Sequence, residues 1–397
     1  MNRGLAVIVT LLLATSAVGA AFGAGAGAST GAESSTTIDG ETETASAATA
    51  GGEAYAGTHV AFETSSNAID DYRVDDETVF ENVTVASQSN YQSQTEAGAD
   101  ARLSAVVDLF GLGLSLDAQS ETRADVATDG SASLSAHDTK RGILTVDAGE
   151  DAQYVALNLS EESNATASDE GDRVLVETDE RTGALVVAGD GEVAVNDNGD
   201  VTADLGSEST LVFRSYEDGE RDENAEEQER LIAEGTATAE VYADAVDGER
   251  VVDVATYGHD TAVETGAEAE ERLAMSVERA KSEGRIVIVS VSEAALEALG
   301  SAEDLAVTVD GEAAAEASSY SELEGGIGEE PRYMVTSSGN AEAAADVLVA
   351  IDHFSERDVA IQNADDVESG DDDSLPGFGA GTALVAALIG VGARVHS

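Results

Sequence analysis

The stretch from 183 to 205 limits the choice of fold more than any other. Residues 184–188, 192–195 and 201–205 are apolar or alternate apolar with polar, and Asp190-Gly191 and Asn198-Gly199 separate them. Period-two alternation buries one face of a β-strand, and Asp-Gly or Asn-Gly suits two-residue hairpin turns whose central residues both need positive φ. The pattern predicts a β-meander. Asp129-Gly130, Asp247-Gly248 and Asp310-Gly311 repeat the turn signal. Further strands are expected at 79–87, 131–137, 142–147, 173–178, 210–216, 240–245, 251–257, 273–278, 285–292, 305–310, 332–337 and 345–352. Many short strands with frequent turns indicate sandwiches or barrels, not a parallel α/β sheet.

Helices are few. One is expected over 222–234, stopped by Gly235, with Glu226 and Arg230 at i,i+4 spacing; a shorter one over 293–299 has Ser292 as N-cap and Gly300 as stop. The segment 98–136 reads equally as long strands or helix. The expected fold class is mainly β: two or three antiparallel β-sandwich-like domains with minor helices. The expected organisation is a signal peptide at 1–28, a Ser/Thr/Ala-rich linker at 29–52 and β-rich domains at 53–141, 142–258 and 259–362. An acidic spacer at 363–375 and a hydrophobic tail at 376–397 follow.

Charge sets the conditions under which such a fold survives. Eighty acids against nineteen bases give −61, and only Lys140 and Lys281 are lysines. With 42% apolar residues and acids dispersed among Val, Leu and Ile, the chain is built to fold rather than to stay disordered. Its surface repels itself at low ionic strength, whereas near 1 M salt the Debye length falls to about 3 Å. This composition resembles that of proteins from salt-loving archaea. It excludes nucleic acid as a partner, because displacing counterions from phosphates needs clustered Lys and Arg. The lack of cysteine excludes disulfides, thiolate metal sites and cysteine nucleophiles.

Both ends carry sorting signals. Arg3, an apolar run over 5–18 and small residues at Val18-Gly19-Ala20 or Ala24-Gly25-Ala26 read as a secretory signal peptide; an uncleaved membrane helix is the alternative. At the other end, the acidic stretch 368–374 precedes Pro376-Gly377-Phe378, an apolar run over 380–393 and Arg394. This order resembles the PGF-CTERM sorting tail of archaeal surface proteins. The resemblance covers about the last 22 residues. It implies recognition through Pro376, Gly377 and Phe378 by an archaeosortase-like enzyme, Arg394 as the inner stop, and attachment of the processed chain to a membrane lipid. The family usually ends in several arginines, where this chain has one. A fourteen-residue run rich in Gly and Ala is short for a permanent span, as suits a tail that is removed.

Little else in the sequence announces chemistry. Asn82-Val83-Thr84, Asn158-Leu159-Ser160 and Asn164-Ala165-Thr166 are N-glycosylation sequons, which makes Asn82, Asn158 and Asn164 candidate modification sites. His59, His137, His259, His353 and His396 lack metal-ligand spacing and are expected as solvated or strand-edge residues. Residues 196–200 faintly resemble a calcium loop but lack its twelve-residue spacing, so a hairpin turn is the simpler reading. No nucleophile elbow, phosphate loop or dinucleotide motif is present. No catalytic residue, cofactor or metal is assigned.

The reading is an exported envelope protein anchored at its C-terminus on the outer face of the plasma membrane, with a non-enzymatic, structural or surface-layer-associated role. The expected partners are the secretion machinery, the processing enzyme, membrane lipid and a surface-layer glycoprotein. A surface module binding a solute, cation or glycan is the first alternative, and a secreted hydrolase with an unrecognised site is the second.

Overall fold

The computed structural model describes residues 53–94, 103, 109, 111–168, 172–246, 249–266, 272–337, 345–353 and 356–368. The signal peptide, the linker and the tail with Pro376, Gly377, Phe378 and Arg394 lie outside the described residues, as does His396. Within them, no helix is long and apolar enough to cross a membrane.

Strands β1 (Glu53–Ala56), β2 (Val60–Thr64), β3 (Ile69–Val74) and β4 (Glu77–Ser87) form a meander that ends in helix α1 (Gln88–Gln94). A second meander runs through β5 (Leu114–Gln119), β6 (Arg123–Thr128), β7 (Ser133–His137) and β8 (Ile143–Asp147). The chain continues through β9 (Gln153–Leu159), β10 (Asn164–Ala167), β11 (Arg173–Glu177) and β12 (Arg181–Ala188). Then come β13 (Gly191–Val195), β14 (Val201–Leu205) and β15 (Thr210–Glu217). The product is a seven-stranded sheet, β1-β2-β3-β4-β9-β14-β13, facing an eight-stranded sheet, β10-β11-β12-β15-β8-β7-β6-β5. Their shared core holds an aromatic chain in which Tyr55, Phe62, Tyr72, Phe80 and Phe213 follow one another at centroid spacings of 5.3, 6.1, 6.0 and 4.8 Å.

Helix α2 (Glu223–Ala233) leads into the second sandwich, with Asp222 accepting from the Ala225 amide as its N-cap. The strands are β16 (Ala237–Val246), β17 (Glu249–Thr256), β18 (Thr261–Thr265), β19 (Arg272–Arg279) and β20 (Glu283–Val291). After helix α3 (Glu293–Leu299) come β21 (Leu305–Val309), β22 (Glu312–Ala313) and β23 (Ala315–Glu316). Helix α4 (Tyr320–Glu324), β24 (Arg332–Ser337), β25 (Ala345–His353), β26 (Glu356–Asn363) and α5 (Ala364–Glu368) complete it. A six-stranded sheet, β17-β16-β20-β25-β24-β23, packs on a five-stranded one, β18-β19-β26-β21-β22. The fold is mainly β, with sandwich-like sheet pairs and few helices.

The two sandwiches stack into four layers. Ile143, Val186 and Val212 on the outer face of the eight-stranded sheet join Ile286, Ile288, Leu348 and Ala350 of the six-stranded sheet, with Leu231 and Ile232 of α2 packed among them. Both central sheets are therefore covered on both faces. That is why β15 is buried at every position from Thr210 to Tyr216, while β2 and β3 keep the alternation of a half-buried strand.

Several local expectations change. Strands β12 and β13 belong to different sheets, so Asp190-Gly191 is a crossing between layers and not a hairpin turn. The β13–β14 hairpin closes through residues 196–200, with Asn196 Oδ1 accepting from the amides of Asn198 and Asp200, and only Gly199 at positive φ. Asp310-Gly311 is the expected two-residue turn, at φ 53° and 81°. Asp75-Asp76 makes an equivalent turn without glycine, at φ 50° and 68°. Glu226 pairs with Arg221 instead of Arg230, which turns to Glu227 and Glu234.

Sheet order also places the division of the chain away from Arg141 and Gly258. Strands β7 and β8 on either side of Arg141 are hydrogen-bonded neighbours, and β17 and β18 flank Gly258 within one sandwich. The change of sandwich comes at α2, because long-range pairs such as β4 with β9 tie residues 53–217 together.

Candidate functional site at the junction

The junction between the sandwiches holds the densest chemistry among the described residues. Arg141 lies in the loop between β7 and β8, and its guanidinium reaches into the second sandwich. Nη1 donates to Glu240 Oε1 on β16 at 2.5 Å and to Ser290 Oγ on β20 at 2.6 Å; Nη2 donates to Asp346 Oδ2 on β25 at 2.6 Å. Arg214 on β15 comes from the same side and is fully buried. Its Nε lies 3.1 Å from Glu240 Oε2, and its Nη2 donates to Gln228 Oε1 on α2 at 2.8 Å. Gln228 in turn donates to Asp346 Oδ2 at 2.8 Å, and the Tyr257 hydroxyl donates to Glu240 Oε2 at 2.8 Å.

Two arginines of the first sandwich thus face two carboxylates of the second, and the formal charges cancel. Burial alone would raise the Glu240 pKa, but the charges of Arg214 and Arg141 and hydrogen bonds from Tyr257 and Arg141 outweigh it, holding the carboxyl at about 2. A group so fixed in its ionised form is poorly matched to proton transfer near neutral pH, which favours a pKa close to the working pH. It is well suited to joining two layers.

Other pairs reinforce the seam. His137 Nδ1 lies 2.7 Å from Asp253 Oδ2, with both groups buried, and His259 Nε2 lies 3.0 Å from Asp147 Oδ2. Each links a residue of the first sandwich to one of the second. The hydrogen bond with Asp147 raises the His259 pKa against the opposing effect of burial. Arg173 of β11 and Arg221 both bind the buried Glu229 of α2, at 2.8 and 2.7 Å, which fixes the helix to the first sandwich. Arg230 of α2 pairs with Glu324 of α4 on the other side.

The residues singled out in the sequence fall elsewhere. Asn164 is exposed on β10, at the edge of its sheet. Asn82 and Asn158 are half-buried in mid-strand and directly opposed across β4 and β9. His59 pairs with Asp75, and His353 with Asp352; neither meets a second histidine among the described residues. His137 departs from the expectation of a solvated or strand-edge residue, because the second sandwich covers it and supplies Asp253. No group of three His, Cys, Asp or Glu among the described residues is placed to hold a metal ion.

Sequence reasoning missed the junction set. A signal was present: Arg214 interrupts the run from Leu211 to Tyr216, and Glu240 sits between Ala239 and Val241. A charge inside an apolar strand marks a buried pair, but it does not name the partner.

No family model matches the chain, and no curated protein does. Among solved structures the chain is similar to a glycoside hydrolase family 81 protein from Clostridium thermocellum, with 10% identity and a TM-score of 0.31. The match covers 77% of this chain and 34% of that one, so the chain spans about a third of that protein's length. A likeness this slight carries no argument about chemistry.

Proposed function

We propose that the chain is an exported cell-surface protein held at the membrane by its C-terminus, and that its two sandwiches form one stiff, non-enzymatic unit of the envelope. The location rests on the order of signals in the sequence: an N-terminal export signal, then an acidic spacer, Pro376-Gly377-Phe378, an apolar run and Arg394. The structural role rests on the junction. Arg141, the observation that carries it, is bound at once to Glu240, Ser290 and Asp346 from three strands of the neighbouring sandwich. A seam made of matched charges resists hinge motion, because a small displacement breaks several short, charge-assisted hydrogen bonds at once before water has room to replace them. The acid excess supports an environment of high salt, where such a surface stays hydrated and its repulsion is screened.

Mass spectrometry of the protein extracted from native membranes tests the location. The expected result is loss of the N-terminal signal, loss of residues beyond the Pro376-Gly377-Phe378 region and added lipid mass. A chain ending at Ser397 without lipid overturns the anchoring. Turnover of a polymer or ester substrate by the purified protein overturns the non-enzymatic role.

A further inference from the structure

The outer face of the seven-stranded sheet carries a groove that the junction does not involve. Its floor is a row across three neighbouring strands. Asp70 of β3 is opposed to Asn82 of β4, and Asn82 to Asn158 of β9. Their sequence neighbours Ile69, Val83 and Leu157 are fully buried in the sandwich core, so the three polar side chains project outward. At a strand spacing of ~4.8 Å the row spans about 10 Å. Ser65, Asn67 and Thr84 complete the polar lining.

One wall is held by close backbone packing. The Leu114 amide donates to Ser66 O at 2.9 Å, and the Leu112 amide to Val85 O at 2.7 Å. Just before them Gly111 passes so near that a Cβ there would lie 2.3 Å from Asn67 O. Asp70, Asn82 and Asn158 are half-buried, and among the described residues their side chains take no hydrogen-bond partner. Three such groups aligned in one concavity form a surface of unspent donors and acceptors.

We infer that this groove binds a neutral saccharide, with Asp70, Asn82 and Asn158 as the groups that recognise its hydroxyls. A carboxylate only accepts, while a primary amide both donates and accepts, and each ligand hydroxyl does both. A row of acceptor, amide and amide therefore fits a run of hydroxyls. An anion is disfavoured by a chain carrying −61. A hard cation needs six to eight oxygens, commonly several carboxylates, and the groove offers one carboxylate. The assignment also separates the sequons: Asn82 and Asn158 stay unmodified as binding amides, while exposed Asn164 is left as the sequon open to glycan. It holds independently of where the protein is anchored.

The test uses the full chain in about 2 M potassium chloride, probed on an array of neutral oligosaccharides and then titrated calorimetrically with the saccharide that binds. Saturable binding is expected. Asn82→Ala and Asn158→Ala each weaken it about tenfold, as loss of one or two hydrogen bonds implies. Asn158→Asp, which keeps the shape but removes the donors, weakens it similarly and guards against misfolding of the alanine variants. Ser160→Ala and Asn164→Ala leave it unchanged. Three results overturn the proposal: no neutral saccharide binds, the Asn82 and Asn158 variants bind undiminished, or native protein carries glycan on either residue.

Discussion

Replacing Glu240 by Gln tests the junction most directly. The substitution keeps the volume of the side chain and removes its charge. Arg214, wholly buried, is then left facing Gln228 with no carboxylate against its Nε, and Arg141 retains only Asp346 as a counter-charge. Removing one partner of a buried pair costs about 3–5 kcal/mol. For a body of this size each kcal/mol moves the midpoint by about 2–4 °C, so a fall of roughly 6–20 °C is expected. Scanning calorimetry in high salt is the assay. Wild type should melt as one unit, and E240Q should resolve the two sandwiches into separate endotherms. The loss should persist as salt is raised, because buried pairs are screened far less than exposed ones. A change below about 1 kcal/mol would place the seam among ordinary surface ion pairs and refute the reasoning. Replacing Arg141, Arg214, Glu240 and Asp346 together by apolar residues of similar size should restore much of the stability.

Further expectations follow from other features. Acid should weaken the same seam: the Glu240 pKa is depressed on folding, so its contribution is complete above the ordinary carboxylate range and disappears as pH falls toward about 2. In His259→Gln that acid limb should remain. What should vanish is the loss of stability on the alkaline side, because the His259 pKa is raised on folding and its contribution is present at low pH and lost as pH rises through the folded value. An unchanged alkaline limb in the variant would dismiss the His259–Asp147 link. Gly183→Ala should cost about 1–3 kcal/mol, since its Cβ would meet the Phe213 ring at 2.3 Å, and Phe213→Leu should relieve part of that cost in the double variant. Dialysis to about 0.1 M salt, where the Debye length is about 10 Å, should abolish the cooperative melt; a sharp transition there would sink the self-repulsion argument.

The fold was legible where alternation and turn chemistry agreed. Residues 173–178, 210–216, 285–292 and 345–352 each become a strand within a residue or two, because a continuous apolar run bounded by polar turns has few other solutions in a β-rich chain. The capped helices α2 and α3 were legible for the same local reason. Less visible were strands such as β3 and β26, whose Asp and Arg residues dilute the pattern, and the Asp75-Asp76 turn, which lacks glycine. Sheet membership was hidden altogether. Nothing local tells β12 from β13 as members of opposite layers, since that depends on which distant strand each one meets. The junction was hidden by abundance: among eighty acids, only contact with Arg141 and Arg214 distinguishes Glu240 and Asp346. The groove was half visible, because the sequons drew attention to Asn82 and Asn158, but their opposition required the register of β4 against β9.

The position of β26 has a mechanical meaning. It is the last strand of the described fold, yet it lies inside its sheet, paired with β19 from Arg272↔Gln362 to Glu278↔Glu356 and with β21 from Leu305↔Asn363 to Val309↔Val359. A pull applied beyond α5 therefore cannot peel an edge strand away one rung at a time. It must load two antiparallel ladders together and drag Val359 and Ile361 out of the core. The strand nearest the C-terminal end of the fold is thus gripped from both sides, so tension at that end meets the interior of a sheet instead of its margin.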